Sequence, residues 1–364
     1  MIQRTFSPQN IEAYFYHTPV LRGLPKKVVP TKFAETIGVQ HCKVYLFDDS
    51  LIISGANLSN DYFTDRQDRY VLIQDCPKLA DFFEGLVSNI AEFSLRLNKG
   101  GDDVNFDVGC DGAVHPYLGD YGSFVQAANE KITSFLARQL KENRVGLSMD
   151  AQEKDTVIFT SVQMGQLQVQ HDSEITRKFL KTIMGGGDTL KFATGYFNPT
   201  NEYLNTILGG GGGGQGHVDI VMAHPEANSF HNAPFPLYGV PFIYTSLASK
   251  FFDVSSRERV QMYEYQRPGW TFHCKGLWVY ETGKDLPYAT TVGSPNFGYR
   301  SVEKDLEAQL TVFTKNRSLQ EALHHEQARV FELSQRVTKD TFNRTDRIAP
   351  LWVKAITGIA KRFF

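Results

Sequence analysis

Cysteine is scarce. Four cysteines in 364 residues, scattered along the chain, exclude a disulfide-stapled secreted scaffold. A long apolar run is missing as well: no stretch reaches the roughly 18–20 residues that a spanning helix needs. Charge of one sign is also absent. The formal net charge is −2, so no polyanion is implied and a nucleic-acid partner is not expected. No cluster of acidic ligands appears, so the chain is expected to need neither metal nor cofactor. The glycine run at 209–214 has no Lys-Ser/Thr after it and leads into a strand. It is therefore a flexible loop and not a phosphate cradle. No signal or transit segment opens the chain.

What is present is a duplication. "QHCKVYLF" (40–47) and "FHCKGLWVY" (272–280) each read as a strand carrying His-x-Lys. A second strand follows each ("LIISGAN", 51–57; "ATTVGSPN", 289–296), then a third ("DRYVLIQD", 68–75; "DLEAQLTVF", 305–313). A helix closes each half, from Leu79 to about Asn98 and from Leu319 to about Arg336. The strands at 11–19 and 217–226 also correspond. The second half alone has an opening block: a strand at 155–167, a helix near Ser173–Met184 and a strand at 189–197. Only 40 residues precede His41. The first lobe is thus expected to be short of a strand–helix–strand block, and a longer chain to restore it with a targeting segment.

Three domains follow. Residues 1–150 form an incomplete N-terminal lobe plus a bridge containing a helix, and 151–348 a C-terminal lobe. Residues 349–364 are an amphipathic tail whose stripe of Leu351, Ala355, Ile359 and Phe363 is edged by Lys354, Lys361 and Arg362. The fold class is α/β: two similar lobes, each a mixed sheet flanked by helices, related by a pseudo-two-fold.

The duplicated residues carry chemistry. Aligned on their asparagines, the copies read His41, Lys43, Asn57, Asp68 and His273, Lys275, Asn296, Glu307, with 11 residues from Asn to carboxylate in both. A histidine can attack phosphorus and form a covalent intermediate. A second can act as acid and then base. Lysines and asparagines can hold the non-bridging oxygens as charge grows. A carboxylate on each imidazole fixes its tautomer. Within each copy Asp68 is expected to bond His41, and Glu307 to bond His273. Alternation along a strand puts Cys42 and Cys274 behind it, buried and unbonded.

"HCKVYLFD" fits the His-x-Lys-x4-Asp signature of the phospholipase D superfamily, and "GSPN" fits its Gly-Ser-x-Asn. Within that superfamily "YHTPVLRGL", "HCKVYLFDDSLIISGANLSNDYFTDRQDRYVLIQDCP", "HCKGLWVY" and "GSPNFGYRSVEKDLEAQL" resemble the eukaryotic phosphatidylglycerophosphate synthases over nearly the whole chain. The resemblance implies one active site between two lobes and a phosphatidyl-histidine intermediate. It further implies transfer, without ATP, from CDP-diacylglycerol to glycerol 3-phosphate with release of CMP, in phospholipid and cardiolipin biosynthesis. The location implied is peripheral, on the anionic surface of the mitochondrial inner membrane.

The implied catalytic set is His41, Lys43, Asp48, His273 and Lys275, with His41 as nucleophile and His273 as acid, then base. Asn57, Asn296 and Ser294 would bind phosphate. The second copy departs from the signature, with Tyr280 where the first has Asp48. Tyr196, Asn198, Arg66 and Arg300 are further candidates for substrate contacts. His17 and His224 are candidates for the cleft. Arg22, Lys26, Lys27 and Lys32, mixed with apolar residues, are candidates for a membrane lip. A phospholipase D-type phosphodiesterase, a phosphatidylserine synthase and a non-catalytic membrane scaffold are the alternatives; the double His/Lys/Asn set argues against the scaffold.

Overall fold

The computed structural model describes residues 11–98, 106–150, 154–209 and 216–363. Most of the glycine run lies outside them. Strands in chain order are β1 (Tyr14–Phe15), β2 (Val44–Phe47), β3 (Ser50–Ser54), β4 (Arg66–Gln67), β5 (Tyr70–Ile73), β6 (Leu95–Leu97), β7 (Phe106–Val108) and β8 (Thr156–Met164). They continue as β9 (Thr189–Thr194), β10 (His217–Ala223), β11 (Val260–Tyr265), β12 (Thr271–Phe272), β13 (Gly276–Tyr280), β14 (Pro287–Gly293), β15 (Leu306–Thr314) and β16 (Ser334–Arg336).

The second lobe holds an eight-stranded sheet in the order β16-β11-β10-β9-β13-β14-β15-β8. Strands β9, β10 and β11 are mutually parallel and the remaining pairs antiparallel. Both faces are covered, so its strands are apolar on both sides. Leu277 and Val279 enter one core with the helices His171–Gly186 and Val240–Val254. Trp278 and Tyr280 enter another, under the helix Arg317–Glu332. That helix stops at Glu332, short of the expected Arg336. Ser334–Arg336 instead pairs antiparallel with β11 as an edge strand.

The first lobe's sheet is smaller: three antiparallel strands, β2-β3-β5. Leu51 and Ile53 of β3 pack on Phe82, Phe83 and Leu86 of the helix Pro77–Glu92. The same cluster takes in Val162, Met164, Leu306 and Leu310 from β8 and β15. One core therefore joins the lobes. The opposite face is uncovered, with Phe47 64% and Leu72 57% exposed. Of the strand expected at 11–19 only Tyr14–Phe15 forms, paired with β6. The bridge helix runs Tyr121–Asp150.

The His-x-Lys segments are not part of their own sheets. β2 begins at Val44 and β13 at Gly276, because the residues before them cross to the other lobe. Gln40 bridges Leu306 in parallel, and β12 pairs in parallel with β4. The His41 amide donates to Leu306 O at 2.8 Å, and the His273 amide donates to Gln67 O at 2.8 Å. These are equivalent contacts under the pseudo-two-fold.

Candidate active site

The crossing decides which carboxylate meets which histidine. Leu306 is followed by Glu307, and Gln67 by Asp68. His41 Nδ1 lies 2.9 Å from Glu307 Oε2, and His273 Nδ1 lies 2.6 Å from Asp68 Oδ2. The expected pairing within each copy is thus corrected: each imidazole is oriented by the other lobe's carboxylate. Both carboxylates are fully buried. The Asp68 carboxyl also accepts the Arg69 amide at 2.8 Å. Glu307 accepts a short hydrogen bond from the Ser301 hydroxyl. A carboxylate accepts, so its place against each Nδ1 favours the proton on that nitrogen and the lone pair on Nε2.

The two halves share one electrostatic environment. Burial, then Lys43, hold His41 well below its ordinary value, and the charge of Lys275 also reaches it. His273 is pushed down to about 3 by burial and then Lys275, with a contribution from Lys43. Both imidazoles are therefore neutral at pH 7, and each feels the other copy's lysine.

The copies differ in openness. The His273 side chain is 5% exposed and the His41 side chain 15%. Tyr62 and Tyr196 both present ring edges to His273, with centroids at 5.2 and 5.4 Å. The Tyr62 hydroxyl lies 3.4 Å from its Nε2. Gly195 permits this wall, because a Cβ there would stand 2.9 Å from the His273 Cα. Lys275 Nζ lies 2.8 Å from His273 Nδ1, donates to His273 O at 2.9 Å and Gly55 O at 3.4 Å, and lies 3.5 Å from Asp68. Among the described residues, Lys43 Nζ is buried with no hydrogen-bond partner, as is Asn296 Oδ1. Burial pushes Lys43 down to about 7, against the opposing pull of Glu307. A buried cation without a partner is costly, and an anionic ligand would relieve that cost.

Other expected site residues divide. Arg66 stays near the site: it stacks over Tyr62 at 4.7 Å and donates to Thr271 Oγ1 at 2.9 Å. Arg300 forms an ion pair with buried Asp305 at 2.9 Å, and its charge reaches His41. Asn57 is exposed, with Nδ2 3.5 Å from the Tyr62 hydroxyl.

Three do not reach the cleft. Asp48 lies exposed in the two-residue turn between β2 and β3, at φ +49°, a turn conformation that Asp tolerates. Ser294 is fully buried: its hydroxyl engages the backbone of Ala308 at 3.1 and 3.3 Å and reaches the Glu307 carboxylate, so it supports the site from behind. Asn198 is buried and its amide donates to Lys361 O, tying the Tyr196 loop to the C-terminal helix. His224 caps the turn at Pro225–Ala227, and His17 packs on Tyr117.

Cys274 is buried and free, as expected; Cys42 is free but only half-buried, its thiol donating to Leu306 O at 3.4 Å.

Sequence reasoning missed Tyr62, Ser301 and Asp305. Tyr62 and Ser301 each stand six residues before a site carboxylate, a signal available once the repeat is aligned. His41, Asp305 and Glu307 offer ligand atoms within 4.8 Å of one another. Asp305 is held by Arg300 and the Val39 amide, and Glu307 by Ser301 and His41, which fits an orienting role.

Arg69, also missed, locks the lobes together. Its buried guanidinium makes a bidentate pair with Glu326 at 2.9 and 2.8 Å and donates to Thr291 O at 2.6 Å. It stacks on Trp278 at 4.0 Å. The clamp fixes the residue next to Asp68.

No family model matches the chain. The chain is 42% identical, over 379 aligned residues, to the human mitochondrial CDP-diacylglycerol–glycerol-3-phosphate 3-phosphatidyltransferase, covering 98% of this chain and 66% of that protein. Its mouse counterpart gives 42% identity with 98% and 67% coverage. The Schizosaccharomyces pombe enzyme gives 30% over 396 residues, with 98% and 77% coverage. The chain thus spans about two thirds of the length of the human and mouse relatives. Among solved structures, phosphatidylserine synthase of Haemophilus influenzae superposes with a TM-score of 0.63 at 18% identity, over 91% of this chain and 72% of that one. That likeness concerns the two-lobed fold alone. With its doubled His/Lys/Asn set, and 30–42% identical to these enzymes over 98% of its own length, the chain belongs to the CDP-diacylglycerol–glycerol-3-phosphate 3-phosphatidyltransferase family.

Proposed function

We propose that the chain transfers a phosphatidyl group from CDP-diacylglycerol to glycerol 3-phosphate, giving phosphatidylglycerophosphate and CMP. The observation that carries this reading is the pair of neutral, carboxylate-backed histidines, each under the field of the other copy's lysine. His41 is the nucleophile: it is the more open imidazole and lies beside unpartnered Lys43. Its Nε2 lone pair attacks the phosphatidyl phosphorus. A P–N bond forms, the P–O bond to CMP breaks, and CMP takes the electron pair. Glu307 stabilises the positive charge left on the imidazole. Lys43, Lys275 and Asn296 stabilise the phosphoryl oxygens.

His273 serves in the second step. With Nδ1–H held by Asp68, its Nε2 accepts the proton of the glycerol 3-phosphate hydroxyl as that oxygen attacks phosphorus. The P–N bond breaks and its electron pair returns to His41. His273 then loses its proton to solvent. Burial and Lys275 disfavour a stored proton on resting His273, so the neutral imidazole awaits the acceptor and CMP leaves unprotonated. Arg66 and Arg300 supply charge for the acceptor's second phosphate.

The working location is the surface of the mitochondrial inner membrane. Among the described residues no helix is long and apolar enough to span a bilayer. The helix Leu351–Ala360 docks Val353, Thr357 and Ala360 on the second lobe and leaves Leu351 83% and Ile359 72% exposed. Lys354 and Arg362 are also exposed. Anionic headgroups attract such cations. Leu24 and Val28 on the turn Gly23–Val28 are also exposed and form a second apolar lip.

The test supplies CDP-diacylglycerol with and without glycerol 3-phosphate. Phosphatidylglycerophosphate, and CMP beyond one equivalent per enzyme, should form only when the acceptor is present; H41N should form neither, and H273N should stop after one equivalent of CMP. Phosphatidic acid and CMP at the same rate without acceptor would make the chain a hydrolase and overturn the reading.

A further inference from the structure

A groove of about 350 Å³ opens between the helices Asn201–Ile207, Val240–Val254 and Leu351–Ala360. That volume falls within the ~300–1,000 Å³ of small-molecule sites. Leu204, Leu247, Phe251 and Val254 give it apolar walls, and Lys250 and Lys361 stand in its lining. Neither lysine is paired with a carboxylate among the described residues. Gly358 also lines it, inside a helix where glycine is unfavourable. No packing contact demands the glycine: a Cβ there would meet nothing within 4 Å. A side chain added there would enter open space at the groove's lining.

The groove continues onto apolar surface. Val254 in its lining is 69% exposed, and Ile359, beside Gly358, is 72% exposed. It also lies behind the wall of the catalytic cleft. Tyr196 turns its ring to His273, whereas Phe197 and Asn198 line the groove.

From this we infer that the groove is an accessory lipid site, holding one acyl chain of a non-substrate anionic phospholipid with its phosphate on Lys250 and Lys361. Charge complementarity selects the anionic headgroup, and continuity with the exposed stripe of the last helix gives a lipid its route from the bilayer. Asn198 joins the groove to the loop carrying Tyr196 through its bond to Lys361 O. Occupancy would thus brace one wall of the catalytic cleft.

The proposal extends the bilayer reading above, but its test needs no turnover. Dodecyl phosphate, dodecyl maltoside and inorganic phosphate are titrated into the full chain by calorimetry, below micellar concentrations and with CMP saturating. Dodecyl phosphate should bind one to one, at least tenfold tighter than the other two. Gly358→Phe, which fills the groove, should weaken it tenfold or more, as should Lys250→Glu combined with Lys361→Glu. Gly358→Ala should bind like the parent. Should Gly358→Phe fail to fold, the lysine pair decides. Unchanged binding in a folded variant, equal binding of the neutral maltoside, or displacement of dodecyl phosphate by CMP would each overturn the site. Because binding is read directly, absence of transferase activity leaves this result standing by itself.

Discussion

Exchanging one buried carboxylate should silence the histidine of the opposite copy. Glu307→Gln leaves an amide of the same shape facing His41 Nδ1, and Asp68→Asn does so for His273, the two contacts being 2.9 and 2.6 Å. The amide cannot stabilise the imidazolium and can present its NH2 to Nδ1, flipping the tautomer so that Nε2 loses its lone pair. In a serine-protease triad this change costs about 10⁴ in kcat; here a loss of about 10³–10⁴ is expected for each variant. The losses should fall on different steps. With His41 as nucleophile, Glu307→Gln should abolish the burst of CMP release. Asp68→Asn should keep the burst and stall transfer to glycerol 3-phosphate. Imidazole ¹⁵N spectra test the crossing without turnover: Asp68→Asn should move the His273 resonances and leave those of His41 in place. If Asp68→Asn instead moves His41, the pairing lies within each copy and the crossed geometry is refuted.

Phosphate affinity should fall as pH rises through about 7, because the charged form of Lys43, held near that value, is the one that binds an anion; KM should climb up to about tenfold per pH unit, and Lys43→Arg should move that limb upward. Stability should fall with acid: His273 is near its ordinary value of about 6.5 when unfolded and about 3 when folded. Above pH 6.5 both states are neutral, and between 6.5 and 3 only the unfolded state takes the proton, at up to about 1.4 kcal/mol per unit; chemical denaturation at pH 7 and 5 reads this, and an unchanged midpoint would contradict it. Asp48→Asn should keep activity within about twofold, since Asn suits the same turn; a large loss would return Asp48 to the chemistry. Removing one arm of the inter-lobe clamp, Glu326→Gln, strands a buried Arg69 and should cost about 3–5 kcal/mol, read as a lower melting temperature, whereas Arg69→Met with Glu326→Leu should melt near the parent. Leu351→Asp with Ile359→Asp should weaken binding to anionic vesicles and slow turnover on bilayer substrate, sparing a soluble short-chain analogue; equal loss on both would make the stripe structural.

Much of the chemistry was legible in the sequence. Two matched His-x-Lys strings, two asparagines and two carboxylates at equal spacing name the participants, because residue type and spacing are one-dimensional facts. Period-two alternation anticipated that Cys274 is buried and free. Which carboxylate serves which histidine could not be read. In a duplicated chain, pairing within a copy and pairing between copies leave identical spacings, and only the crossing of Gln40 to Leu306 and of β12 to β4 separates them. Asp48 follows the same rule: five residues from Lys43 in sequence, it is carried to the far end of a hairpin by strand rise. The asymmetry between the histidines is likewise tertiary, since Tyr62 and Tyr196 come from different lobes to enclose one imidazole and leave the other open. Sequence determined which groups are present, and the packing of two unlike lobes across a pseudo-two-fold decided which of them touch, because burial and hydrogen-bond partners are properties of a surface that exists only when both lobes meet.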